Sequence, residues 1–184
     1  MCLKGWEDDI MFRIYISAST QKENIGVGNY GTEQDRMTEL SDRVRYWLKT
    51  QGKFEVFRNQ PNWNLKQTVD DCNNLACDLF IDNHTNAGPS LAAGTEVFYN
   101  HKSPIGKGNK FAEILYKYIF PLSPGKDRGV LPDNRYVGSL YVIQHTLPPA
   151  VLVEHIFHTN ITEVIDFLRN MDEYAKAEAK AIAE

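Results

Sequence analysis

Short apolar runs alternate with amphipathic stretches along most of this chain. Phe12-Arg-Ile-Tyr-Ile16 has strand composition, and Ser17-Ala-Ser-Thr-Gln21 turns it outward into a polar, Gly-rich loop from Lys22 to Gly31. Thr32 is a candidate N-cap. After it Met37, Leu40, Val44, Trp47, Leu48 and Gln51 keep helical spacing until Gly52 closes the element. Phe54–Phe57 reads as a second strand, Asn59–Asn64 as a loop and Leu65–Ala76 as a helix. Leu79–Ile81 reads as a short buried strand, and Glu96–Tyr99 as the next. Phe111–Phe120 is an apolar-striped helix stopped by Pro121 and Pro124. A polar loop over Asp127–Arg135, two more strands at Leu140–Ile143 and Val151–Val153, and one or two closing helices over Ile161–Ala183 complete the pattern.

Strands that alternate with helices predict an α/β fold: a twisted, mostly parallel sheet with helices on both faces. At 184 residues, with no internal repeat, low-complexity tract or linker, one domain over residues 11–184 is expected. Residues 1–10 read as a leader of little consequence, with Met11 a plausible start. Trp6-Glu-Asp-Asp9 breaks any apolar run there, so neither a secretory signal nor a membrane span is expected, and synthesis is assigned to the cytoplasm. A net charge of -4 supplies no global attraction for nucleic acid or an anionic membrane. The three cysteines, Cys2, Cys72 and Cys77, are too few and too oddly placed for a disulfide framework or a zinc knuckle, and are read as reduced thiols.

Two predicted strands end in chemistry-bearing residues. Leu79–Ile81 runs into Asp82, Asn83, His84 and Asn86, and Ala150–Val153 runs into Glu154, His155 and His158. Ligands of open α/β sheets sit just beyond the carboxyl ends of strands. A carboxylate at the end of a buried strand is costly unless it is paired, hydrogen-bonded or metal-bound, which points to Glu154. An extended strand would put Glu154 and His158 on one face and His155 on the other. Glu33 enters at the first turn of the first helix, where the helix dipole favours a carboxylate whatever its use. His101 and His145 read as surface residues. A glutamate and two histidines with an open position suit a catalytic zinc site, and a further carboxylate is then needed as general base. Glu33, His84, His158 and Glu154 can supply that set; a hydrolase without metal has the same composition. No Gly-x-Gly-x-x-Gly or P-loop follows the first strand, which excludes the common nucleotide-binding patterns.

From Phe12 onward the chain resembles the zinc-dependent N-acetylmuramoyl-L-alanine amidases of bacterial autolysins and phage endolysins. The helix from Glu33 to Gly52 is similar to that family's metal-glutamate helix. Asp78-Leu-Phe-Ile-Asp-Asn-His84-Thr-Asn-Ala87 is similar to its His-x-Asn-Ala segment, with Gly94-Thr-Glu-Val-Phe-Tyr99 following. Asp127-Arg-Gly129 and Pro149–Glu154, with Asn160, are similar to its carboxyl-terminal motifs. The resemblance implies hydrolysis of the amide between N-acetylmuramic acid and L-alanine in bacterial peptidoglycan, with Zn2+ as cofactor. It further implies Glu33 and His84 as zinc ligands and Glu154 as catalytic acid/base; Asn86 and Arg128 are assigned to orienting substrate. With no signal peptide expected, the enzyme would act on the wall after release by lysis. The family places a zinc histidine after its first strand, whereas this chain has Ser17–Gln21 there. Three readings follow: His158 fills the vacancy, Thr20 or Gln21 offers an oxygen ligand, or metal binding is degraded and the chain is a non-catalytic wall-binding module. A metal-dependent peptidase or deacetylase acting on another wall bond is a further rival.

Overall fold

The structure, a computed structural model, describes residues 11–102, 107–135 and 140–184, so the leader expected at 1–10 lies outside the described residues. In chain order the elements are β1 (Phe12–Ala18), α1 (Glu33–Lys49), β2 (Phe54–Arg58), α2 (Leu65–Asn74), β3 (Leu79–Asn86) and β4 (Thr95–Tyr99). They continue with α3 (Lys107–Ile119), a short 3-10 turn at Phe120–Leu122, β5 (Asp127–Pro132), α4 (Tyr141–His145), β6 (Ala150–Phe157) and α5 (Ile161–Ala183).

The helices begin where the sequence offers caps. Thr32 accepts a hydrogen bond from the Asp35 amide at the start of α1, and Asn64 with Gln67 forms a reciprocal capping box on α2. Asn160 accepts from the amides of Thr162 and Glu163 at the start of α5, which runs unbroken to Ala183.

The strands form one sheet in the order β2-β1-β3-β6-β4-β5. β2, β1, β3 and β6 are parallel, β4 runs antiparallel to β6, and β5 is parallel to β4. The mostly parallel α/β sandwich expected from the pattern is therefore present. One face packs Ile14, Ile16, Ile81, Val151 and Val153 against α1, α3 and α5. The other packs Tyr15, Phe80, Phe98 and Leu152 against α2 and α4. Burial on both faces explains why these strands read as continuous apolar runs. Each fully buried Ile, Leu, Val or Phe contributes about 1.5–3 kcal/mol.

Two expectations fail. Leu140–Ile143 is not a strand: Tyr141–His145 form the single-turn helix α4, because β6 already has β3 and β4 as neighbours and Val142 and Ile143 gain burial by capping the sheet instead. Asp127–Pro132 is not a loop but the edge strand β5, where Pro132 is tolerated at the strand end. β3 and β6 are also longer than their apolar cores suggest, so His84 and Glu154 lie within strands. No helix among the described residues is long and apolar enough to cross a membrane.

Candidate active site

The carboxyl edge of the parallel strands gathers the polar residues. Asp82 and His84 alternate on β3, so both point to one face. His84 pairs in register with Glu154 of β6, and Glu154 pairs with Glu96 of β4. Glu33, fully buried at the start of α1, reaches the same place from the loop that follows β1. Its Oε1 stands 2.9 Å from His84 Nδ1, while Asp82 Oδ2 stands 3.1 Å from His84 Nε2. Asn24 donates to Glu33 Oε2 at 2.7 Å and the Thr85 amide donates to Oε1 at 3.3 Å. Asn86 donates to Glu96 Oε1 at 2.6 Å.

The electrostatics follow from crowding acids around one imidazole. Burial opposes charge on His84, but Asp82 and then Glu33 outweigh it and hold the imidazole well above the usual histidine range. Burial also opposes charge on Glu33, yet the hydrogen bond and charge of His84, with Asn24, leave its carboxyl below the usual range. Glu154 has no such compensation. Desolvation, with the charges of Glu33, Glu96 and Asp82 outweighing the relief from His84, pushes it up to about 8. Its Oε2 is buried without a hydrogen-bond partner. A carboxyl group whose proton affinity is raised this way suits proton transfer.

The donor set fits a cation. Asp82 accepts the Nε2–H hydrogen bond of a neutral His84, which leaves the Nδ1 lone pair facing a carboxylate oxygen; two acceptors 2.9 Å apart need a proton or a metal ion between them. A carboxylate on the far ring nitrogen is also how proteins orient a metal-binding histidine. Among the described residues, however, no group of three or more His, Cys, Asp and Glu side chains is arranged as a ready-made metal cage.

The remaining residues singled out in the sequence divide. Gln21 reaches the site, its Nε2 3.3 Å from His84 Nδ1, whereas Thr20 lines the adjoining cavity. His158 is buried close to Glu33 but is engaged elsewhere: Nδ1 lies 3.1 Å from Thr85 Oγ1 and the ring stacks on Tyr30 at 5.7 Å. The shared face expected for Glu154 and His158 does not survive, because a β-bulge between the His84↔Glu154 and Asn86↔Phe157 pairs inserts a residue and reverses the alternation. Before the bulge His155 does point away, to Asn83 on the α1 and α5 side. Arg128 stacks over Phe157 at 4.3 Å and donates to the Ala93 carbonyl at 2.8 Å, so it braces the loop before β4. His101 and His145 are exposed, and Cys72 and Cys77 are free and buried.

Sequence reading placed Asp82 beside His84 but assigned it no role, and it found no sign of Glu96 or Asn24 as site residues. Period-two alternation from His84 could have found Asp82; Glu96 depends on the antiparallel insertion of β4 beside β6, which no local pattern announces. Beside His84 lies a cavity of about 550 Å³ lined by hydroxyl and amide side chains (Ser19, Asn59, Thr68) and by Tyr141 and Leu152. That is the size of a small-molecule subsite.

Residues 14–184 match the family model described as N-acetylmuramoyl-L-alanine amidase. Among curated proteins the chain is similar to YqiI of Bacillus subtilis, 29% identical over 172 residues, which cover 92% of this chain and 80% of that one. It is also similar to the N-acetylmuramoyl-L-alanine amidase LytC of the same organism, 27% identical over 140 residues; the match covers 74% of this chain but only 27% of LytC. Among solved structures it superposes on the catalytic domain of CwlV, an N-acetylmuramoyl-L-alanine amidase from Bacillus (Paenibacillus) polymyxa var. colistinus. The TM-score is 0.82 at 26% identity, covering 94% of this chain and 97% of that one. An amidase structure from Clostridium difficile 630 shares the fold with a TM-score of 0.82 at 20% identity, covering 94% and 95%.

Proposed function

The chain belongs to the N-acetylmuramoyl-L-alanine amidase family, and from that premise we propose that it hydrolyses the amide between the lactyl group of N-acetylmuramic acid and L-alanine in bacterial peptidoglycan. The observation that carries this reading is the in-register pairing of Glu154 with His84, which sets a carboxyl group pushed up to about 8 by burial beside the His84–Glu33 pair.

Glu33 and His84 would hold a zinc ion through Oε1 and Nδ1. His158 is our preferred third ligand, because zinc favours imidazole over an amide or hydroxyl oxygen. Reaching the metal would require it to leave Thr85; Gln21, already beside His84 Nδ1, is the substitute if it does not. Zinc bound there supplies Lewis-acid polarisation of the scissile carbonyl and makes water a competent nucleophile at neutral pH. Asp82 fixes the His84 tautomer. Glu154 takes the proton from the attacking water and delivers it to the leaving L-alanine nitrogen. Asn86, held by Glu96, presents its amide to substrate beside Glu154, while Arg128 shapes the rim by holding the loop before β4. The cavity beside His84, with Asn59, Thr68, Tyr141 and Leu152 in its wall, receives the groups next to the scissile bond.

Digestion of purified peptidoglycan tests this reading. An amidase must release peptides with free N-terminal L-alanine and leave glycan strands intact by mass. Other new termini would indicate a peptidase or deacetylase, and binding without release a wall-binding module.

A further inference from the structure

A second cavity, of about 370 Å³, lies between α1, β2 and α2, and nothing in the proposed chemistry uses it. Arg45, Arg58, Asn59, Gln60, Trp63 and Asp71 line it, with Val56, Phe57 and Leu75 completing the wall. Arg45 Nε is buried with no hydrogen-bond acceptor, and Arg45 has no carboxylate partner among the described residues. Arg58 is 16% exposed; its Nε lies 2.9 Å from Asp42 Oδ1 in an ion pair without hydrogen-bond alignment, and its Nη1 is buried with no acceptor. Buried guanidinium N–H groups without acceptors are expensive. The opposing charge in the wall is Asp71, whose Oδ2 already accepts from Tyr15 Oη at 2.8 Å.

This cavity adjoins the catalytic cleft. Asn59 lines both, and its side chain is fixed by paired hydrogen bonds of 2.9 Å to the Ala18 amide and carbonyl. Asn59 is thus a rigid partition two strands from β3, where strand spacing of about 4.8 Å puts it roughly 10 Å from the His84 line. Guanidinium forks match carboxylate and phosphate oxygens, and Trp63 offers an apolar wall for the carbon skeleton attached to them.

We propose that this cavity is an oxyanion-binding site in which Arg45 and Arg58 take a carboxylate or phosphate group of the cell wall while the scissile amide occupies the His84 site. The choice of a wall ligand rests on the proposed function; the anion chemistry rests on the arginines. Two sources carry such groups: the carboxylates of the stem peptide and the phosphodiesters of polyol-phosphate wall polymers.

Equilibrium binding to the full chain carrying Glu154→Gln separates them without depending on turnover. The probes are a muramyl pentapeptide and a glycerol-phosphate hexamer, with inorganic phosphate as competitor. One probe is expected to bind, phosphate to displace it, and Arg45→Gln and Arg58→Gln to weaken it about tenfold or more. Arg45→Lys, which keeps the charge and loses the fork, should recover only part of the affinity, and Lys49→Gln, on the exposed end of α1, should leave it within about twofold. Pentapeptide binding assigns the stem peptide, and hexamer binding the polymer. Because Arg45 has no partner to lose, Arg45→Gln should unfold at the wild-type temperature. The proposal is overturned if neither probe binds, or if binding is unchanged in both arginine variants. If the wild-type chain releases no L-alanine from peptidoglycan while this arginine-dependent binding persists, the proposed hydrolysis fails and this site stands.

Discussion

Glu154 and Glu96 face each other across the antiparallel β6–β4 ladder. Like charges at paired positions disfavour joint ionisation, and Glu96 is one of the groups that push Glu154 up to about 8. Glu154 as general base works when deprotonated, so kcat/KM should rise with pH through its pKa. Glu96→Gln removes one negative charge while keeping an acceptor for Asn86, and the rising limb of the profile should move to lower pH. An unmoved limb, or one displaced to higher pH, would show that Glu96 does not set the proton affinity of Glu154.

Metal content should separate the ligands. His84→Ala removes the imidazole held between Asp82 and Glu33 and is expected to abolish zinc binding, measured as metal per chain after dialysis. His158→Ala should lose most of its zinc if this histidine leaves Thr85 to complete the site. Full retention by His158→Ala, with loss in Gln21→Ala, would transfer the third position to the glutamine.

On the α1 and α5 side of the sheet, Asn83 links His155 and Glu178, with His155 Nε2 at 2.9 Å from Asn83 Oδ1 and Asn83 Nδ2 at 3.1 Å from Glu178 Oε1. Burial pushes His155 down to about 3 from 6.5 and Glu178 up to about 8 from 4.5. The unfolded chain binds the extra histidine proton between pH 3 and 6.5, so acidification through that window removes stability. The folded chain binds the extra glutamate proton between pH 4.5 and 8, so stability is lost as pH rises through that window. The effects oppose each other where the windows overlap, and Glu178 acts without His155 from pH 6.5 to 8. Urea unfolding should show stability declining over that upper range in the wild type and a flatter profile in Glu178→Gln. Identical slopes would contradict a protonated, buried Glu178.

Gly94 ends the loop that delivers Thr95 and Glu96 to β4. Its φ is 117°, and a Cβ there would stand 2.1 Å from the Lys126 carbonyl oxygen. Both strain and overlap oppose a side chain, so Gly94→Ala should destabilise by about 2–4 kcal/mol in denaturant titration. A loss within experimental error would mean that this loop is free to relax.

The fold was legible wherever burial on both faces wrote continuous apolar runs, as in β1, β3 and β6, and wherever caps marked helix starts, as at Thr32. It was not legible where tertiary context overrode local preference. Tyr141-Val-Ile143 has strand composition, yet β6 left it no edge to join; Asp127–Pro132 looks polar because an edge strand is covered on fewer sides. The site shows the same division. Glu154 stood out because a carboxylate at the end of a buried strand is costly, and His84 because it ends a strand where ligands bind, whereas Glu33 was singled out by the family resemblance. Glu96 required knowledge of strand order, and the face taken by His158 required a bulge that alternation does not reveal.

The central claim is that Glu154 transfers the proton in hydrolysis of the muramoyl–L-alanine amide at a metal held by Glu33 and His84. Release of N-terminal L-alanine from purified peptidoglycan by zinc-loaded Glu154→Gln, compared with the wild type, tests it directly. The expected result is unchanged zinc content with a rate lower by about 10²–10⁴-fold, the usual worth of a positioned acid–base group. Cleavage at the wild-type rate would contradict the account.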